Sequence, residues 1–164
     1  MNTKFANYLL NKTKQDYNLI GHDFSSKRTH ITPDILALKK YAGQNDKILD
    51  LGCGNGRLSE IFSDLDIEYV GVDISEAMID IAREKYPKNK FEVIDFFNLP
   101  FPDNFFDKIY CLSVLHHIPS QKYREQFLSE AYRVLKPEGK LILTVWNLLA
   151  KPKVIRSLIF NFFK

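Results

Sequence analysis

Two cysteines in 164 residues are too few for a disulfide scaffold or a structural zinc site. Cys53 and Cys111 therefore read as small packing residues in a reduced, cytoplasmic setting. No apolar run approaches the ~20 residues that a membrane-spanning helix requires, which speaks against integral membrane association. The opening stretch MNTKFANYLLNKTKQDYN lacks the apolar middle of a secretory signal. Repeats, low-complexity tracts and Gly/Ser linkers are also missing, so nothing divides the chain into modules. The net charge is only +3, but it is unevenly spread: +3 over residues 1–50, −6 over 51–110 and +6 over 111–164. Basic ends around an acidic middle suit phosphate-binding surfaces, with ordinary solvated faces as the alternative. What is present is a 45% hydrophobic chain, long enough for one domain with a substantial core.

From Lys47 onward, short apolar β-rich runs alternate with longer helical ones. Strands are expected at Lys47–Leu51, Glu68–Asp73, Lys90–Ile94, Phe106–Leu112 and Lys140–Trp146. Helices are expected at Arg57–Leu65, Glu76–Lys85 and Gln121–Lys136, with Ser75 capping the second and Pro137 stopping the third. Pro137-Glu138-Gly139 reads as a turn before the last strand. Strands that are nearly continuous in apolar residues and alternate with helices imply an α/β, doubly wound, Rossmann-like parallel sheet covered on both faces. Residues 1–45 read as a helical extension ahead of a core at 46–164, and Thr32-Pro33 opens a short helix within that extension.

The most informative stretch is Asp50-Leu51-Gly52-Cys53-Gly54-Asn55-Gly56-Arg57, which leaves a strand and enters a helix. Glycines there allow a tight turn and let a ligand approach the backbone closely. Asp73, at the end of the next strand, is placed to accept hydrogen bonds from a ribose beside such a loop. The dinucleotide fingerprint G-x-G-x-x-G is not met, because Arg57 occupies its last position.

The pattern acid-x-Gly-x-Gly-x-Gly, matched by Asp50, Gly52, Gly54 and Gly56, resembles the first motif of the class I S-adenosylmethionine (SAM)-dependent methyltransferases of the type 11 domain. The resemblance extends from about Asp46 to Trp146. Gly71-Val72-Asp73-Ile74-Ser75 with Met78 looks like that family's ribose-binding strand end, and Asp95-Phe96 like its adenine site. Leu99-Pro100-Phe101-Pro102, Leu112-Ser113-Val114-Leu115-His116-His117 and Arg133 to Gly139 resemble its later segments. The resemblance implies SAM as cofactor, with Asp50, Gly52, Gly54 and Gly56 at its methionine portion. Asp73, Ile74 and Met78 would then lie at the ribose, Asp95 and Phe96 at the adenine, and Leu112 beside them. The adjacent pair His116-His117 lacks metal-ligand spacing and further ligands, so no metal is expected. His116 and His117 are the candidates near the transferred methyl group. As adjacent residues they point different ways, so at most one faces the acceptor, and a hydrogen-bonded loop pair is the plainer alternative.

Tyr17, Asn18, Ile20, Phe24, Ser25 and Arg28 are similar to the lead-in of the tRNA wobble-uridine carboxymethyl methyltransferases, which esterify a 5-carboxymethyl group. That likeness implies tRNA as partner and substrate handling by Arg28 together with a histidine of the pair; an arginine fork suits a carboxylate or phosphate. After Arg28 this chain departs from that pattern, having Thr29-His30-Ile31-Thr32-Pro33. A small-molecule acceptor, such as a quinone, lipid precursor or metabolite, is the alternative, and a SAM-binding but catalytically incomplete module is a third. The family sheet ordinarily continues with two further strands, for which the residues after Trp146 leave no room. The expectations are an apolar helix over Pro152–Phe163 and an open sheet edge suited to self-association or a partner protein.

Overall fold

The computed structural model of the protein describes residues 1–146. The expectations for Pro152–Phe163 and for strands beyond it lie outside those residues. The strands are β1 (Lys47–Leu51), β2 (Glu68–Asp73), β3 (Lys90–Val93), β4 (Phe106–Leu112) and β5 (Leu135–Thr144). They form one sheet in the order β3-β2-β1-β4-β5, and every pairing is parallel. Chain order reverses between β1 and β4, and ligands of such sheets bind outside the carboxyl ends of the strands at that point.

Alternation along the strands builds both faces. Leu49, Leu51, Val72, Ile109 and Cys111 point to one side, where Phe127, Ala131 and Val134 of helix α4 (Gln121–Val134) close over them. Ile48 and Tyr110 point to the other side, where Ile79 and Ala82 of α3 (Glu76–Lys85), with Phe62 and Phe91, cover them. Each of these large side chains contributes roughly 1.5–3 kcal/mol by leaving water. The helices begin where the caps dictate: the Ser75 hydroxyl accepts from the Met78 N–H at 3.3 Å, and the Ser120 hydroxyl accepts from the Tyr123 N–H at 3.2 Å.

Several boundaries differ from the sequence expectations, α4 stopping at Val134 and β5 at Thr144 among them. The segment after the glycine loop is a 3-10 helix, Arg57–Phe62, rather than a helix to Leu65. Only eleven residues, 57–67, connect the loop to β2, and the 3-10 winding takes up the first six of them. Strand β3 stops at Val93. β5 begins at Leu135, ahead of the Pro137-Glu138-Gly139 turn, because that turn bulges out between two paired positions, Leu135 opposite Phe106 and Lys140 opposite Lys108. Arg133 fastens the neighbouring loop. Its guanidinium donates to the carbonyls of Leu99 and Phe101 and to Asp103 and Glu130, at 2.8–2.9 Å.

The N-terminal extension is helical, as expected. Helix α1 (Thr3–Ser26) is 24 residues long and capped by Asn2, and the short α2 (Pro33–Leu36) continues into a 3-10 turn through Tyr41. α1 lies against α3, with Gly21 allowing close approach to Met78, whose sulfur would sit 3.4 Å from a Cβ at that position.

Candidate active site

The glycine loop leaves β1 at Leu51 and is held by the neighbouring strand: the N–H groups of Gly52 and Cys53 both donate to the Val72 carbonyl, at 2.8 and 2.9 Å. Gly52 has φ +87°, and a Cβ there would lie 2.2 Å from Val114 Cγ2, so only glycine fits both the torsion and the space. Asp73 braces the loop from the tip of β2. One carboxylate oxygen accepts from the Gly54 N–H at 2.9 Å and the other from the Ser75 N–H at 3.0 Å. Burial pushes the Asp73 carboxyl up from its ordinary pKa, and the backbone N–H groups oppose that shift. Asp50 lies beneath the loop and accepts from the Tyr69 hydroxyl at 2.6 Å. Its burial raises its pKa to about 7.

Helix α1 closes the site from above, tied to both cofactor-side loops. The Asn18 side-chain oxygen accepts from the Ser75 hydroxyl at 2.7 Å and from the Ala77 N–H at 3.3 Å. Further along, the buried Ser25 hydroxyl accepts from the Asn55 amide of the glycine loop at 3.0 Å and from Lys85 at 2.7 Å. Between these tethers, the Tyr17 hydroxyl lies 3.2 Å from His117 Nε2. Tyr17 also meets the Phe24 ring edge-on at 5.4 Å, and the Arg28 guanidinium lies over Phe24 at 4.2 Å from its centroid. An unbroken chain of contacts thus runs Arg28–Phe24–Tyr17–His117. Desolvation, then the neighbouring His116, lowers the His117 pKa, so the imidazole is neutral at physiological pH. Burial raises the pKa of Tyr17.

These elements enclose a cavity of about 580 Å³, within the range of small-molecule and cofactor sites. Of the residues singled out in the sequence, Arg28, Asp50, Gly52, Gly54, Asp73, Ile74, Met78, Phe96, Leu112 and His117 line it. Asp95 lines an adjoining cavity that shares Leu10, Ile74, Phe96 and Ile118 with the first. Its carboxylate accepts from the Phe97 N–H at 2.9 Å. Gly56 lies outside the lining and serves packing, since a Cβ there would meet Phe91 at 2.8 Å. His116 is exposed and points away, its ring 4.9 Å from that of Trp146, so His117 is the histidine of the pair that faces the cavity. Sequence reasoning did not assign Val114, Trp146 or Arg57 to the site, and it quoted Tyr17 only as part of a motif. The signal for Tyr17 was its place in that lead-in; the others become site residues only through the fold. The two cysteines are buried thiols, with Cys111 pushed up to about 12 by desolvation, and neither is a nucleophile. Among the described residues no group of three or more His, Cys, Asp or Glu side chains is arranged to hold a metal, and no helix is long and apolar enough to cross a membrane.

A family profile described as a methyltransferase domain matches residues 49–143, from β1 to the end of β5. The chain belongs to the methyltransferase domain family. Its relatives include the tRNA (carboxymethyluridine(34)-5-O)-methyltransferase of Arabidopsis thaliana, 34% identical over 79% of this chain and 31% of that protein. They also include the 27-O-demethylrifamycin SV methyltransferase of Amycolatopsis mediterranei, 35% identical over 65% of this chain and 41% of that protein. The chain thus spans well under half the length of these curated relatives. Among solved structures, a SAM-dependent methyltransferase from Methanosarcina mazei superposes with a TM-score of 0.68 at 28% identity, covering 77% of this chain and 63% of that one. The cofactor of this methyltransferase domain is SAM. The cavity fits it: a glycine cradle runs beside the half-buried Asp73 carboxylate, whose oxygens keep lone pairs for ribose hydroxyls, and apolar Ile74, Met78 and Phe96 line the same cavity.

Proposed function

We propose that this protein is a methyltransferase that esterifies an anionic acceptor, the carboxylate of a 5-carboxymethyl group on the wobble uridine of tRNA. The observation that carries the reading is the contact chain from Arg28 through Phe24 and Tyr17 to His117, whose members line the same cavity as the glycine loop. It combines a cation suited to a carboxylate with a neutral imidazole on the acceptor side. The tRNA-type relative and the matched lead-in support the same acceptor.

Bound SAM supplies an electrophilic methyl group on a sulfonium, and the displacement needs an acceptor held in line about 3 Å away with water excluded. In this reading Asp73 accepts the ribose hydroxyls, while Ile74 and Met78 pack beside the sugar. Asp95 and Phe96 take the adenine, and Gly52 and Gly54 leave room for the methionine portion. A carboxylate acceptor is already a nucleophile, so no base must remove a proton. Arg28 orients it, and His117, aligned by the Tyr17 hydroxyl, donates or accepts a hydrogen bond at the uracil edge. Helix α1 keeps water from the reacting atoms.

A second reading takes a small hydroxyl-bearing acceptor, favoured by the enclosed shape of the cavity and by the rifamycin-type relative. Neutral His117 would then take the hydroxyl proton. The experiment that separates them is incubation of the protein with SAM carrying a labelled methyl group and bulk tRNA containing 5-carboxymethyluridine. Nucleoside mass spectrometry follows. The tRNA reading expects a base-labile methyl ester on that nucleoside; label confined to small hydroxyl acceptors overturns it.

A further inference from the structure

Asn55 stands between Gly54 and Gly56, whose φ values of +55° and +76° carry the turn of the glycine loop. Asparagine suits such loops because it tolerates the left-handed region, but Asn55 does not adopt it. What the position uses is the amide. Asn55 and Ser25 are each only 3% exposed. The Asn55 side-chain nitrogen donates to the Ser25 hydroxyl at 3.0 Å and approaches the Arg28 carbonyl at 3.5 Å.

The segment held in this way is the one that carries Arg28. Ser25 lies in the last turn of α1, and its carbonyl accepts from the Arg28 N–H at 3.2 Å. Asn55 meets the opposite backbone group, so both the N–H and the carbonyl of Arg28 are engaged. Lys85 of α3 gives the Ser25 hydroxyl a second donor at 2.7 Å, and Arg57, just past the loop, donates to the His30 carbonyl at 3.2 Å. Asn55 also lines the cavity together with Gly52 and Gly54. One side chain thus joins the wall of the cofactor cavity to the backbone that presents Arg28. If the loop or the segment shifted alone, a buried amide donor would lose its partner, so the two are bound to move together.

We propose that Asn55 is a positioning residue that couples the two halves of the site, so that a cofactor seated on the glycine loop fixes Arg28 for the acceptor. The proposal rests on the reading above, with SAM at the loop and Arg28 at the acceptor, and adds the link between them. A ligand that immobilises the loop lowers the entropic cost of ordering residues 24–31, and the ordered segment tightens cofactor binding by the same factor.

Hydrogen exchange of the whole protein, followed by mass spectrometry with and without saturating SAM, tests this. In the wild type SAM is expected to slow exchange about tenfold across residues 24–31, the size of an ordinary coupling between sites. In Asn55→Ala that slowing is expected to fall below about twofold, while residues 52–56 stay protected by the bound ligand. Ser25→Ala removes the same bond without touching the loop and is expected to give the same loss, which keeps the test open if Asn55→Ala does not fold. A merely structural bond predicts something else: Asn55→Ala would speed exchange of 24–31 equally with and without SAM. That result overturns the proposal, as does a wild-type segment whose exchange SAM leaves unchanged while the loop is protected. A wild-type protein in which SAM protects no residue overturns the cofactor reading itself, and so is distinguishable from failure of the coupling alone.

Discussion

Replacing Gly52 with alanine strikes the glycine loop at its tightest point. The residue has φ +87°, where a Cβ costs roughly 1–2 kcal/mol of backbone strain. The added methyl would also lie 2.2 Å from Val114 Cγ2, 3.2 Å from Cγ1 and 3.3 Å from Cβ. Rotating the valine cannot relieve all three contacts, because its branch point is itself involved and its torsion is stiff. Overpacking of this kind adds about 1–3 kcal/mol. Gly52→Ala should therefore destabilise the fold by about 2–5 kcal/mol in urea unfolding followed by circular dichroism. Only the steric part depends on Val114, so a double-mutant cycle separates the two contributions. Val114→Ala in the Gly52→Ala background should recover at least about 1 kcal/mol relative to additivity. A loss below about 1 kcal/mol for Gly52→Ala, or strictly additive single changes, would refute the reasoning that this loop is shaped against the segment after β4.

Four further outcomes follow from the geometry. Asp73→Asn keeps the shape but places an amide donor against the N–H of Gly54 or Ser75, and should weaken SAM binding by roughly ten- to a hundredfold in calorimetry. Asp50 is an acid whose folded pKa, about 7, lies above its ordinary 3.8. The native state therefore holds the proton more tightly, so its stability contribution is present at low pH and is lost as pH rises from about 4 to about 7; urea midpoints across that window should fall in the wild type and flatten in Asp50→Asn. His117→Ala should reduce methyl transfer about a hundredfold through misplacement of the acceptor, with SAM affinity nearly unchanged. His116→Ala, which alters an exposed ring tilted against Trp146, should change turnover by less than about threefold, measured in the same assay.

Much of the fold was legible because local signals and packing agree. β1, β2, β4 and α3 occupy the spans that the apolar runs and the Ser75 cap indicate. The end of the first helix was not legible. Periodicity through Leu65 fits a full helix, but the short return to β2 compresses it into a 3-10 turn ending at Phe62. The start of β5 was missed for a different reason: Pro137-Glu138-Gly139 is turn chemistry, and it is accommodated as a bulge with Glu138 at φ +64° inside the strand pairing. In the site, the loop glycines, Asp50 and Asp73 announce themselves by spacing along the chain. The contact between Tyr17 and His117 does not, because the two lie 100 residues apart and meet only when α1 folds over the sheet.

The central claim is that the hollow at the carboxyl ends of β1 and β2 holds SAM in one orientation, with the transferable methyl toward His117. A crystal structure of the protein grown with SAM tests it most directly. The account predicts density with both ribose hydroxyls on the Asp73 carboxylate, the adenine against Phe96 and the amino acid tail over Gly52 and Gly54. A cavity free of density at saturating ligand, or a nucleoside bound with its sugar away from Asp73, would contradict it.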